Sequence, residues 1–160
     1  MKIVPLLTAA ASVVLCSCAA QPRLAIFNEA EYAPFRKGGT GKITGQAFMR
    51  TKGGDVKYAA GQQVNLNPVT TYSKEWFERA VLGGQTLAPA DPRLGAEEKH
   101  TLADAEGRFE FNGLAAGDYY LTSWLTWIVP TEYVTITTGG TLAGKYSVAN
   151  GQTTKVVLTR

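Results

Sequence analysis

Histidine is almost missing from this chain: His100 stands alone among 160 residues. A histidine-rich metal site is therefore excluded. A Ser-His-Asp triad would have to be built on His100, and none of Ser73, Ser123 or Ser147 sits in a G-x-S-x-G elbow, so His100 reads as a loop-end histidine. Cysteine is nearly as scarce. Cys16 and Cys18 are the only two, one residue apart, where a disulfide would be badly strained. No segment beyond residue 15 is apolar for long enough to span a bilayer as a helix. The net charge of +3 is spread along the chain, with no basic run to argue for nucleic acid and no acidic tail. Arg36-Lys37-Gly38-Gly39-Thr40-Gly41-Lys42-Ile43 fails as a phosphate loop, because Arg36 stands where the first glycine belongs and Ile43 where the hydroxyl should follow the lysine. Asp104-Ala105-Glu106-Gly107 lacks the ligand ladder of a calcium loop and reads as a turn. Glu75 with Glu78, or Glu97 with Glu98, would be a glycosidase pair only at a spacing in space that sequence does not give, and a charged helix face or solvated loop is the better account. No catalytic residue, metal ligand or cofactor is expected.

What is present begins with a leader. Lys2 precedes an apolar stretch, Ile3 to Leu15, of signal-peptide length. Leu15-Cys16-Ser17-Cys18 then resembles the bacterial lipobox. That resemblance implies removal of residues 1–17 and acylation, including palmitate, of Cys18. An ordinary secretory leader cleaved after Ala19 or Ala20 competes, and the placement of Cys18 favours the lipobox. Cys16 occupies a position more often held by Ala, Ser or Thr. By resemblance to enteric lipoproteins, Ala19 and Ala20 after the cysteine imply an outer-membrane address, facing the periplasm or the outside. Acyl chains contribute about 0.8 kcal/mol per buried methylene, enough to anchor without a transmembrane helix.

Cleavage would leave about 143 residues, one domain's worth. Residues 18–41 read as a tether, although Tyr32, Pro34 and Phe35 are sticky enough for part of it to lie on the domain. From Lys42 the texture becomes β. Ile43 to Met49 is a strand in which Gly45 marks a bulge or close approach. Val64 and Leu66 alternate with Asn65 and Asn67 before Pro68. A short amphipathic helix follows, with Ser73 as N-cap, Trp76, Phe77, Ala80 and Val81 on its apolar stripe, and Gly83-Gly84 as its stop. Glu78 and Arg79 face away from that stripe. Gln85 to Lys99 reads as a surface loop. Arg108 to Phe111 and Asp118 to Val129 are strands; Tyr133 to Ile136 is a short further one. Leu142 to Val148 and Lys155 to Leu158 close the domain around a hairpin turn at Asn150-Gly151.

In the long strand, Trp124 and Trp127 have opposite parity, so one of them must leave the core face. That one is expected either under the Trp76-Phe77 helix or exposed as a contact patch. Trp76, Trp124 and Trp127 are the candidate partner-binding residues.

The run Gly41-Lys42-Ile43-Thr44-Gly45, followed by Asp104-Ala105-Glu106-Gly107-Arg108-Phe109-Glu110-Phe111 and Leu114-Ala115-Ala116-Gly117-Asp118-Tyr119-Tyr120-Leu121, is similar to carboxypeptidase regulatory-like domains. The resemblance spans most of residues 42–160. It implies an all-β, transthyretin-like (immunoglobulin-like) β-sandwich of about seven strands, here with one inserted helix and loop at about 72–99. It implies little about activity. The function expected is a non-enzymatic, lipid-anchored envelope module that contacts a protein partner. A glycan- or peptidoglycan-binding module is the alternative, and a transthyretin-like hydrolase a third reading.

Overall fold

In the computed structural model the described residues are 20–160; the expected leader and Cys18 lie outside them. No helix among the described residues is long and apolar enough to cross a membrane.

Eight strands form two facing sheets. In the first, β1 (Gly41–Arg50) pairs antiparallel with β2 (Val56–Tyr58) and with β5 (Arg108–Leu114), and parallel with β8 (Thr153–Leu158). In the second, the order is β4 (Lys99–Leu102), β3 (Gln63–Pro68), β6 (Gly117–Pro130), β7 (Thr135–Val148), all antiparallel. The core is what the period-two alternation demands. Ile43 and Ala47 of β1 and Phe109 and Phe111 of β5 face Val64 and Leu66 of β3 and Tyr119, Leu121 and Leu125 of β6, all buried. Leu142, Val156 and Leu158 complete it. The chain is thus the all-β sandwich expected, with eight strands in place of about seven.

Gly45 is a close approach: a Cβ there would stand 2.5 Å from the Val156 side chain and 2.6 Å from Phe109.

Several local expectations need correction. Tyr133 and Val134, expected in a short strand of their own, lie in a turn, while Ile136 and Leu142 to Val148 belong to one strand, β7. Gly139 and Gly140 carry it through with φ of +120° and +148°, a region closed to most L side chains, and a Cβ on Gly139 would lie 2.1 Å from the Leu125 carbonyl. Asn150-Gly151 is a turn but not a hairpin. β7 stays in the second sheet while β8 crosses to lie parallel with β1, bringing Val156 and Leu158 into the core from the other side. The helix starts earlier than expected. Thr70, not Ser73, is the N-cap of α2 (Thr71–Trp76), and Ser73 is its partner in a reciprocal capping box. Arg79, expected to face away from the helix's packed side, is instead half-buried and paired with Glu75.

Residues 20–41, read as a tether, are folded onto the domain. Asn28 caps α1 (Glu29–Arg36), Tyr32 is fully buried, and Phe27, Tyr32 and Tyr72 form a second small core. Their aromatic mass outweighs the glycine run that suggested a free linker. Gln85 to Lys99 is held too, by a 3-10 turn at Pro92–Ala96 and by the Arg36 guanidinium donating to buried Glu97 at 2.5 Å.

Candidate functional site

On β3, β6 and β7, the side chains that do not enter the core form the outer face of the second sheet. In register, Asn67 lies opposite Tyr120, Asn65 opposite Thr122, and Thr141 opposite Trp124. Part of this face is roofed by α2 and its continuation, a π-helical turn over Phe77–Leu82. Phe77 stacks on Tyr120 with ring centres 4.0 Å apart and planes 12° from parallel. Where the roof stops, a cleft of about 350 Å³ opens, with Trp76, Ala80 and Val81 above and Gln63, Asn65, Thr122 and Trp124 below. The π turn widens the helix by one residue per turn, a feature found at functional sites.

Trp124 is therefore the tryptophan on the outer face. It is 56% exposed, beside the helix rather than beneath it. A second depression of about 560 Å³, bounded by Leu82, Gly140, Thr141 and Arg160, lies against Trp124 as well. Its indole is a ridge shared by two clefts. Trp127 points the other way, half-buried against the core, and does not join this site. So the structure brings two of the three candidate tryptophans together and separates the third.

The lining of the 350 Å³ cleft is neutral, built from indoles, amides and hydroxyls with no carboxylate or ammonium. Gln63 and Asn65 are already linked by a 2.5 Å side-chain hydrogen bond. Amides both donate and accept, so they match ligand hydroxyls in either sense. His100 sits on edge strand β4 opposite Asn65, exposed and outside the cleft lining. Ser73 is buried in the α2 cap, where its hydroxyl donates to the Pro68 carbonyl at 2.6 Å. Asp104 accepts from the backbone N–H groups of Arg108 and Glu106, which hold its carboxyl below the usual range and make the segment a turn. Among the described residues no group of three His, Cys, Asp or Glu is placed to hold a metal.

The roof is positioned by residues that sequence reasoning did not single out. The Thr70 hydroxyl donates to the Tyr32 hydroxyl at 2.9 Å, and the Thr71 N–H donates to Glu31 at 2.6 Å. From the other side, Glu75 accepts the Leu24 and Ala25 N–H groups at 2.7 and 2.8 Å and pairs with Arg79. The aromatic residues upstream were a visible signal, but nothing in the sequence joined them to the helix, and Thr70 with Ser73 lacks the Glu or Gln that marks a capping box. Burial pushes the Glu75 carboxyl up, yet the Leu24 and Ala25 N–H groups and Arg79 outweigh it and hold it below its ordinary value of 4.5. A depressed carboxyl stabilises the fold above its unfolded pKa and loses that contribution as pH falls through the folded one. Acidification below about pH 4.5 is thus expected to loosen the N-terminal segment. Thermal midpoints measured from pH 7 to pH 3 should fall more steeply in the native protein than in Glu75→Gln; parallel curves would contradict the role of Glu75.

A solved structure of a Pseudomonas aeruginosa protein, provisionally described as carbohydrate-binding, superposes with a TM-score of 0.76 at 32% identity, covering 86% of this chain and 100% of that one. A minor pilin of Streptococcus agalactiae aligns at a TM-score of 0.42 and 16% identity over 76% of this chain and 44% of its own. An (S)-allantoin synthase aligns at 0.37 and 10% over 77% and 41%. These two superpositions are too loose to carry an argument. No protein-family model matches the chain, the carboxypeptidase regulatory-like family included, and no curated protein matches it.

Proposed function

The chain belongs to the family of that Pseudomonas aeruginosa protein, and on that premise we propose that it is a non-enzymatic carbohydrate-binding module of the bacterial cell envelope, anchored at the outer membrane through lipid on Cys18. The observation that carries the reading is the cleft between Trp76 and Trp124. A pyranose ring presents an apolar C–H face and a rim of hydroxyls. Two indoles offer flat apolar area at little entropic cost, and Gln63, Asn65 and Thr122 supply neutral donors and acceptors beside them. A lining without charge fits an uncharged glycan, since an acidic sugar would be desolvated there with no cation to pair it. This places glycan binding ahead of the protein-contact role expected from the sequence. A family member described as carbohydrate-binding supports that order.

Affinity electrophoresis through gels containing uncharged polysaccharides tests the reading. Retardation that free oligosaccharide relieves is expected; unaltered mobility in every uncharged glycan, or retardation by charged glycans alone, would overturn it. The anchor is tested separately by palmitate labelling in cells. Label and membrane association should both disappear in Cys18→Ser, and their persistence would refute acylation at that residue.

A further inference from the structure

The β6–β7 ladder outruns the sandwich. β3 pairs with β6 only as far as Val64–Ser123, whereas β6 and β7 stay paired out to Pro130–Thr135. Beyond Ser123 the two strands form a ribbon that ends in a turn closed by a 2.9 Å hydrogen bond from the Thr131 N–H to the Val134 carbonyl. An exposed ribbon is normally polar, but this one carries Ile128, Val129, Tyr133, Val134 and Ile136, exposed by 66, 39, 85, 60 and 50%. Apolar side chains scattered singly over a surface need no explanation, whereas five on one projection do.

A groove of about 760 Å³ separates the ribbon from the end of β1. One wall is apolar: Val129 and Ile136 are directly opposed, with Trp127 two residues back on the same face. The other wall is cationic, with Arg50, Lys52, Lys57 and Arg160. None of these four cations is in an ion pair among the described residues, although ten ion pairs are formed elsewhere. Asp55 lines the groove and Glu132 lies in the turn, so the pole keeps an excess of positive charge.

We propose that this pole docks on an anionic lipid surface. The tip, with Tyr133 and Val134, enters the headgroup layer, Trp127 lies three rungs behind it at the edge of that layer, and the four cations meet headgroup phosphates. Each part has a physical warrant. The ribbon's outer edges carry unpaired backbone groups, so its tip can enter only the hydrated headgroup layer, where water and headgroups satisfy them, and not the hydrocarbon core. Aromatic residues favour the membrane interface, and an apolar insertion flanked by cations is the composition of surface-binding segments. A second copy of the chain fits poorly, because a symmetric contact would set unpaired cations against one another. The glycan cleft is not involved, since Trp124 and Trp127 face opposite sides of β6.

The test uses residues 20–160. These residues contain both hydrophobic cores and every strand of the two sheets. Sedimentation with phosphatidylcholine vesicles and with mixed phosphatidylcholine–phosphatidylglycerol vesicles is compared. Binding is expected to the mixed vesicles only, to weaken with salt, and to blue-shift tryptophan emission. Lys52→Gln with Lys57→Gln should weaken binding about 30-fold, at about 1 kcal/mol per cation. Tyr133→Ser with Val134→Ser should abolish it and leave thermal stability unchanged, because both side chains are exposed. Equal binding to both vesicle types, binding to neither, or binding indifferent to both double variants overturns the proposal. So does a concentration-dependent dimer that Val134→Ser dissolves, which would assign the tip to self-association.

Discussion

Replacing Trp124 with alanine is expected to weaken glycan binding about thirtyfold while leaving the unfolding midpoint where it was. The two halves of that result have separate causes. Trp124 is 56% exposed and its strand neighbours Ser123 and Leu125 make the core contacts, so truncation opens no cavity. Exposed substitutions of this kind usually stay within about 0.5 kcal/mol. Binding loses both the apolar area of the indole and its stacking contribution, together about 2 kcal/mol. Trp127→Ala should do the reverse, since Trp127 packs against the core cluster: it should lower stability and spare glycan affinity. Calorimetric titration and thermal unfolding of both variants check the pair. A destabilised Trp124→Ala that binds normally would break the assignment.

Tyr32→Ala is expected to be among the most damaging single substitutions outside the main core, at about 3–5 kcal/mol. Tyr32 has no exposed surface, stacks on Phe27 with ring centres 5.0 Å apart, and accepts the Thr70 hydroxyl at the start of α2. Its loss empties the second core and frees the N-cap of the helix that carries Trp76. Glycan affinity should fall with stability, although Tyr32 does not line the cleft. Tyr32→Phe keeps the ring and removes only the acceptor, at a cost of about 1 kcal/mol. Urea unfolding separates the two variants. If Tyr32→Ala unfolded at the native midpoint, the segment before β1 would be a dispensable tether after all.

Alternation made much of the sandwich legible. Phe109 with Phe111, Val64 with Leu66, and Tyr119 with Leu121 and Leu125 each mark a core face, and all of them are buried. The opposite parity of Trp124 and Trp127 likewise required one tryptophan to leave the core. What escaped the sequence was long-range. Asn150-Gly151 has the chemistry of a turn, and the same chemistry serves a hairpin or a crossing between sheets. Only the packing of Val156 and Leu158 beside β1 decides which. The continuity of β7 was hidden by Gly139-Gly140, which reads as a break but here lets Leu125 approach closely. Residues 20–41 looked linker-like because their aromatic partners, Tyr72 and Tyr119, lie far along the chain. The cleft was half visible. Gln63 and Asn65 could be placed on an outer face, and Trp76 on a helix, but their meeting with Trp124 depends on how α2 lies across the sheet.

The most direct test of the glycan site follows the three indole N–H signals in a ¹H–¹⁵N spectrum of residues 20–160 while an uncharged oligosaccharide is added. The Trp76 and Trp124 signals are predicted to move together along one saturation curve while Trp127 stays fixed. Movement of Trp127 alone, or no movement of any indole by a glycan that demonstrably binds, would place the binding site elsewhere and contradict the account.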